Sequence, residues 1–186
     1  MCSVQHRESR IVMWGKDITQ ASSHQRHRLG LGFLLQSRNV FTRLTVRENF
    51  DIANVNAPVG GNAVCTRIMG SALELELDTR AGLLSGGQRQ LLALGMVLAQ
   101  SPSVLLLDEP TAGLSGDNAL ILVRALEELA AHEPRTVMLI VEHNTDPLKN
   151  LATRVLALRS GEQVLGIQSQ EDLLNGDKML HAYGDT

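Results

Sequence analysis

The 186 residues predict an α/β layered domain built on a mostly parallel sheet with helices packed against it. Three observations lead there. Strand-like and helix-like segments alternate along the chain, a pattern of crossover units rather than of a bundle or a sandwich. The run Val104-Leu105-Leu106-Leu107 is continuously apolar, as expected of a parallel strand covered on both faces. Two segments of the form S/T-x-x-E/Q, Thr45 to Glu48 and Ser85 to Gln88, carry the side chains of a helix-starting capping box.

Taken in order, Ile11 to Trp14 is expected as a short strand entering a turn at Gly15-Lys16-Asp17. Gly30 to Leu35 reads as a second strand that ends at Gln36. Thr45 caps a helix, and Pro58, Gly60 and Gly61 interrupt the segment after it. Ser85 opens an apolar helix carrying Leu91, Leu92, Leu94, Met96, Val97 and Leu98, which Pro102 and Ser103 end. The strand Val104–Leu107 stops at Asp108-Glu109-Pro110. A long helix is expected from about Asn118 to Ala131, then a second buried strand, Val137 to Val141, ending at Glu142-His143. Val155 to Leu158, a turn at Gly161 and Val164 to Ile167 form a closing hairpin. The chain has no internal repeat and no low-complexity tract.

Composition bounds the function. A chain 44% hydrophobic and 20% charged can bury a sizeable core in one domain. A formal charge of -3 gives no basic footprint, so no nucleic-acid partner is expected. No apolar run approaches the ~18 residues of a membrane span. The first ten residues are polar and lack the apolar middle of a secretory signal, so a cytoplasmic location is expected. Cys2 and Cys65 lie far apart without metal-ligand spacing, which points to reduced thiols, with Cys65 a packing residue.

The polar residues that end strands carry the chemistry. Gln36, Asp108-Glu109 and His143 each follow an apolar strand directly, and ligands of open α/β sheets sit beyond the carboxyl ends of the strands. An Asp there can hold Mg²⁺ directly or through water, and the Glu after it can polarise a water for in-line attack on a phosphate. In Leu84-Ser85-Gly86-Gly87-Gln88, two glycines at a helix start let the backbone approach a phosphate, whose charge the N–H groups and helix dipole favour. Each element alone has a plainer reading: a loop Gln, a structural His, an acidic turn before Pro110, an ordinary capped helix. Their shared order and spacing favour the chemical one.

That combination resembles the nucleotide-binding cassettes of ABC transporters, from about Ile11 to the end of the chain. Leu84 to Gln88 is similar to the signature motif, Val104 to Glu109 to the Walker B strand with its catalytic glutamate, and Gln36 to the Q-loop. Ala112-Gly113-Leu114-Ser115 is similar to the D-loop and His143 to the switch histidine. Gly32 to Phe41, leading into Arg43-Leu44-Thr45-Val46-Arg47-Glu48-Asn49, most resembles branched-chain amino-acid importers, as do Ala81-Gly82 and Gly113-Leu114-Ser115. The resemblance implies a P-loop NTPase-like fold and an ATPase that uses ATP and Mg²⁺. It implies two cassettes paired head to tail and docked on transmembrane permease subunits, peripheral to the inner face of the cell membrane. Ser85, Gly86 and Gly87, flanked by Leu84 and Gln88, would then touch the γ-phosphate of an ATP held by the partner cassette. Asp108 would hold Mg²⁺ through water, Glu109 would be the base and His143 would sense the γ-phosphate. Gln36 would link the metal site to the permease.

The sequence departs from that pattern in several respects. No G-x-x-x-x-G-K-[ST] loop occurs in it; Lys16 follows Gly15, but Asp17 stands where Ser or Thr is needed. Trp14 does not occupy the place of the adenine-stacking aromatic, and ten residues precede Ile11. The expectation is a partial cassette, residues 1–186 as one domain, without the Walker A strand and helix and with residues 45–84 as a shortened helical subdomain. Apolar surface beside the missing elements should then lie uncovered. Ser115 stands where many members carry Asp. Three functions remain open: an importer ATPase shortened at its start, a partner that donates only its signature half-site, and a cassette ATPase outside transport.

Overall fold

The computed structural model describes residues 10–36, 39–54, 77–144, 146–159 and 162–169. Strands β1 (Val12–Met13) and β2 (Lys16–Asp17) form a small antiparallel hairpin around Trp14 and Gly15, so Lys16 opens a strand where the sequence suggests a turn. A short helix α1 (Ser23–Arg28) comes next, which hydrophobic periodicity does not predict. Its start is a full capping box between Ser22 and Gln25, a third box of the S/T-x-x-E/Q form among the described residues.

Strand β3 (Leu31–Leu34) leads to helix α2 (Val46–Asn54), where Glu48 Oε2 accepts from the Thr45 N–H at 2.7 Å and Thr45 Oγ1 accepts from the Glu48 N–H at 3.1 Å. Pro58, Gly60, Gly61 and Cys65 lie outside the described residues, as do Cys2 and Gly161. The chain is described again from Leu77 through a 3₁₀ turn, Ala81–Leu83, into helix α3 (Gly86–Leu98). Strand β4 (Val104–Asp108), helix α4 (Gly116–His132) and strand β5 (Val137–Val141) come next. The antiparallel hairpin β6 (Arg154–Arg159) and β7 (Glu162–Ser169) closes the described chain.

The central sheet has the order β3-β4-β5 and is parallel throughout, as the sequence predicts. Its register aligns Leu34 with Leu107 and Ile140, and Phe33 with Leu106 and Leu139. Strand alternation then splits the sheet into two faces. On one, Leu34, Leu105 and Leu107 are fully buried in one cluster with Leu91, Leu92, Leu94 and Leu98 of α3 and Leu122, Leu126 and Leu129 of α4. Each such leucine contributes roughly 1.5–3 kcal/mol by leaving water, and this cluster fixes where the strand ends lie.

The other face differs from the expectation of a sheet covered on both sides. Phe33, Val137, Leu139 and Val141 are exposed, Leu139 by 60%. Strand β5, expected as buried, is therefore half-buried: only Met138 and Ile140 pack on the core. Among the described residues nothing buries these side chains. None of the described helices is long and apolar enough to cross a membrane.

Candidate functional site

Because β3, β4 and β5 are parallel neighbours, their carboxyl ends share one edge of the sheet, and the residues just past them meet there. Gln36 lies two residues past β3, Asp108 ends β4 with Glu109 next, and His143 lies two past β5. The Gln36 Nε2 donates to Glu109 Oε2 at 2.8 Å, and His143 Nε2 stands 2.9 Å from Glu109 Oε1. Three separate segments thus converge on one carboxylate, whose side chain is 22% exposed while that of His143 is 88% exposed. Glu109 is held between two polar groups with one flank open to solvent.

The backbone makes that placement. Glu109 adopts φ +46, a left-handed conformation that costs a residue with a Cβ about 1–2 kcal/mol. Its N–H donates to the Val141 carbonyl of the neighbouring strand at 2.9 Å, and its carbonyl accepts from Ala112 at 3.1 Å. The chain therefore leaves the sheet abruptly at Glu109 instead of continuing β4. Asp108 shares the parity of Leu106 and points to the open side of the sheet, half-buried.

The glycine-rich helix start is built as the sequence predicts. Ser85 Oγ accepts from the Gln88 N–H at 3.2 Å and Gln88 Oε1 accepts from the Ser85 N–H at 2.9 Å. Two of the four N–H groups at the helix start are thereby satisfied within the motif itself. Ser85 and Gly86 are exposed, Leu84 is buried and Gln88 is half-buried, so Leu84 anchors the motif and Gln88 braces it. Gly87 faces inward. A Cβ there would stand 2.3 Å from Asn118 Nδ2 in the first turn of α4, so glycine is what lets the two helix starts approach.

Two contacts had no sequence signal. Glu142 Oε1 accepts both the Thr111 N–H at 2.8 Å and the Thr111 hydroxyl at 2.6 Å, and Gln90 Nε2 reaches the Pro110 carbonyl at 3.4 Å. Both hold the segment just after Glu109.

The donor set suits Mg²⁺ in part. Asp108, Glu109 and Gln36 offer oxygen ligands at one edge, and Mg²⁺ is ordinarily held by one or two carboxylates together with phosphate oxygens and water. Among the described residues no group of three or more His, Cys, Asp or Glu side chains could hold a metal ion.

A parallel sheet with Gln, Asp-Glu and His at adjacent strand ends, beside a glycine-rich helix start, defines the ATP-binding-cassette class of α/β domain. The ABC transporter family model matches residues 1–112, more than half of the chain. The chain is 35% identical over 156 residues to a probable branched-chain amino acid transport ATP-binding protein, LivF, of Archaeoglobus fulgidus, covering 81% of this chain and 65% of that one. It is 30% identical over 177 residues to the lipopolysaccharide export ATP-binding protein LptB of Acidithiobacillus ferridurans, covering 93% of this chain and 72% of that one. It is 31% identical over 180 residues to the molybdenum import ATP-binding protein ModC of Salmonella typhi, covering 95% of this chain and 50% of that one.

Among solved structures, the ADP conformation of an ATP-binding cassette of an ABC transporter superposes with a TM-score of 0.68 at 25% identity, over 91% of this chain and 74% of that one. A dimeric post-hydrolysis cassette bound to ADP and Pi matches in fold, with a TM-score of 0.70 at 21% identity, over 87% of this chain and 73% of that one. The chain belongs to the ABC transporter ATP-binding family. It spans about two thirds of the LivF relative's length and half of the ModC relative's.

Proposed function

We propose that this chain is the catalytic part of the ATP-binding subunit of an ABC importer and couples ATP hydrolysis to movement of a small solute, such as a branched-chain amino acid. The observation that carries this reading is the Glu109 carboxylate between Gln36 and His143 at three adjacent strand ends. In this reading Glu109 accepts the proton of the attacking water, Gln36 orients that carboxylate and would help hold the metal, and His143 would sense a γ-phosphate. Asp108 would hold Mg²⁺, which when bound would supply neutralisation of phosphate charge. Leu84, Ser85, Gly86, Gly87 and Gln88 form the half-site offered to an ATP on a second cassette. Residues 45–84 serve as the helical subdomain that meets the permease, which puts the chain at the inner face of the membrane.

The solute is the less constrained part. The relatives are named for branched-chain amino acids, lipopolysaccharide and molybdenum, and the sequence from Gly32 to Asn49 supports the first. A second reading, a cassette that only donates its signature half-site, is supported by the fully built helix start at Ser85.

MgATP hydrolysis by the full chain, alone and mixed with a complete cassette of the importer type, tests both readings. With Glu109→Gln, the rate contributed by this chain should fall about 100-fold or more, the usual scale for loss of a general base. An unchanged rate would sink the assignment of Glu109. Hydrolysis that appears only in the mixture and is indifferent to Glu109→Gln but abolished by Ser85→Arg would favour the donated half-site.

A further inference from the structure

We infer that Glu142 is a positioning residue for the Glu109 carboxylate, acting through Thr111; this rests on the reading of Glu109 as the base. Glu109 occupies a left-handed backbone conformation that its side chain disfavours, so neighbouring contacts must hold it there. One is the Glu109 N–H to the Val141 carbonyl, 2.9 Å. Another, beside the Ala112 and Gln90 contacts, is the hold on Thr111, two residues on, where a single oxygen of Glu142 accepts both the backbone N–H and the hydroxyl. Val141 and Glu142 are consecutive and lie just before His143. The segment that carries His143 to one side of the Glu109 carboxylate thus also grips the chain at and beyond Glu109.

This explains a pairing that distance alone leaves open. Glu109 must point at Gln36 beyond β3 and His143 beyond β5 at once, and these contacts span the width of the sheet. A pair of charge-assisted hydrogen bonds on Thr111 fixes the exit direction of the chain, and with it the carboxylate. Glu142 is half-buried and its carboxylate bonds Thr111 rather than Gln36 or the His143 ring, so its influence passes through the backbone.

The test uses the full chain as wild type, Glu142→Gln, Glu142→Ala and Thr111→Val, each first checked for a cooperative thermal transition. Crystal structures report the Gln36–Glu109 and His143–Glu109 distances. Glu142→Gln keeps a carbonyl acceptor and should leave both below about 3.2 Å, whereas Glu142→Ala should open at least one beyond about 3.5 Å. The hydrolysis rate contributed by this chain, after subtraction of the complete cassette's own rate, should drop about 100-fold in kcat for Glu142→Ala with KM within about threefold, the signature of misplaced rather than missing binding contacts. Glu142→Gln should recover most of that loss.

Both distances unchanged in Glu142→Ala would overturn the inference. If that variant does not fold, Thr111→Val decides: a partial opening of the same contacts supports the inference, and wild-type distances overturn it. Unchanged hydrolysis in Glu109→Gln would remove the base assignment alone, because the distances still report whether Glu142 positions the carboxylate.

Discussion

The two glycines of the signature segment are adjacent in sequence and opposite in environment, which makes them a paired test of the structure. A Cβ on Gly86 meets nothing within 4 Å. A Cβ on Gly87 would stand 2.3 Å from Asn118 Nδ2, 2.8 Å from its Cγ and 3.1 Å from its Cβ. Rotating the Asn118 side chain relieves the first two contacts but not the third, so the starts of α3 and α4 must separate. Overpacking of this kind costs about 1–3 kcal/mol. Against it stands a gain of about 0.5–1 kcal/mol from replacing glycine in a helix, which Gly86→Ala receives without any clash.

Gly86→Ala is therefore expected to be neutral or stabilising. Gly87→Ala should be less stable than Gly86→Ala by about 2 kcal/mol, or about 4–8 °C in Tm for a chain of this size. Urea unfolding followed by far-UV circular dichroism measures the gap, with constant m-values as the check that only stability changed. Asn118→Ala in the Gly87→Ala background should recover about half of the loss, because the 3.1 Å Cβ contact remains. Equal stability of the two alanine variants would refute the packing of α3 against α4 and the inward face assigned to Gly87.

Other outcomes rest on the same geometry. Leu92→Ala, in the fully buried cluster, should cost about 2–5 kcal/mol in a urea titration, while Leu139→Ala on the open face should cost under about 1 kcal/mol and lower 8-anilinonaphthalene-1-sulfonate fluorescence. Glu48 titrates below the usual glutamate range, because the Thr45 N–H and hydroxyl both donate to its carboxylate. The folded chain thus binds that proton less readily than the unfolded chain, so this cap's contribution is complete above the ordinary glutamate pKa. It is lost as pH falls through the lower folded value. Glu48→Gln should flatten the acid limb of the stability profile in that window, and an unaltered limb would show that the cap is not coupled to folding.

The strands and helices are legible in the sequence because their signals are local. Three capping boxes mark helix starts, the apolar runs mark β4 and β5, and Pro102 and Pro110 stand near the ends of α3 and β4. Two of those boxes introduce apolar helices and stand out; the one at Ser22 does not, since α1 is six residues long and carries no apolar period to draw attention. The burial expected for β5 fails for a different reason. An unbroken apolar run says that a strand suits a sheet covered on both faces, but whether anything covers the second face is a property of other segments. Val137, Leu139 and Val141 are apolar and exposed together because no described element buries them.

The site is legible in its members and illegible in its mechanics. Gln36, Glu109 and His143 can be singled out because each ends an apolar run, and parallel pairing then leaves them little choice but to meet at one edge. What no run or spacing announces is how a glutamate just past a strand turns to face both neighbours. That depends on a left-handed residue, on Val141 holding its N–H, and on Glu142 holding Thr111, all contacts between segments about thirty residues apart. A residue in a disfavoured backbone conformation persists only where its surroundings over-determine it. The grip of the β5 exit at Glu109 and just beyond it supplies that excess of constraint, and it makes the carboxylate's direction a property of β4 and β5 together.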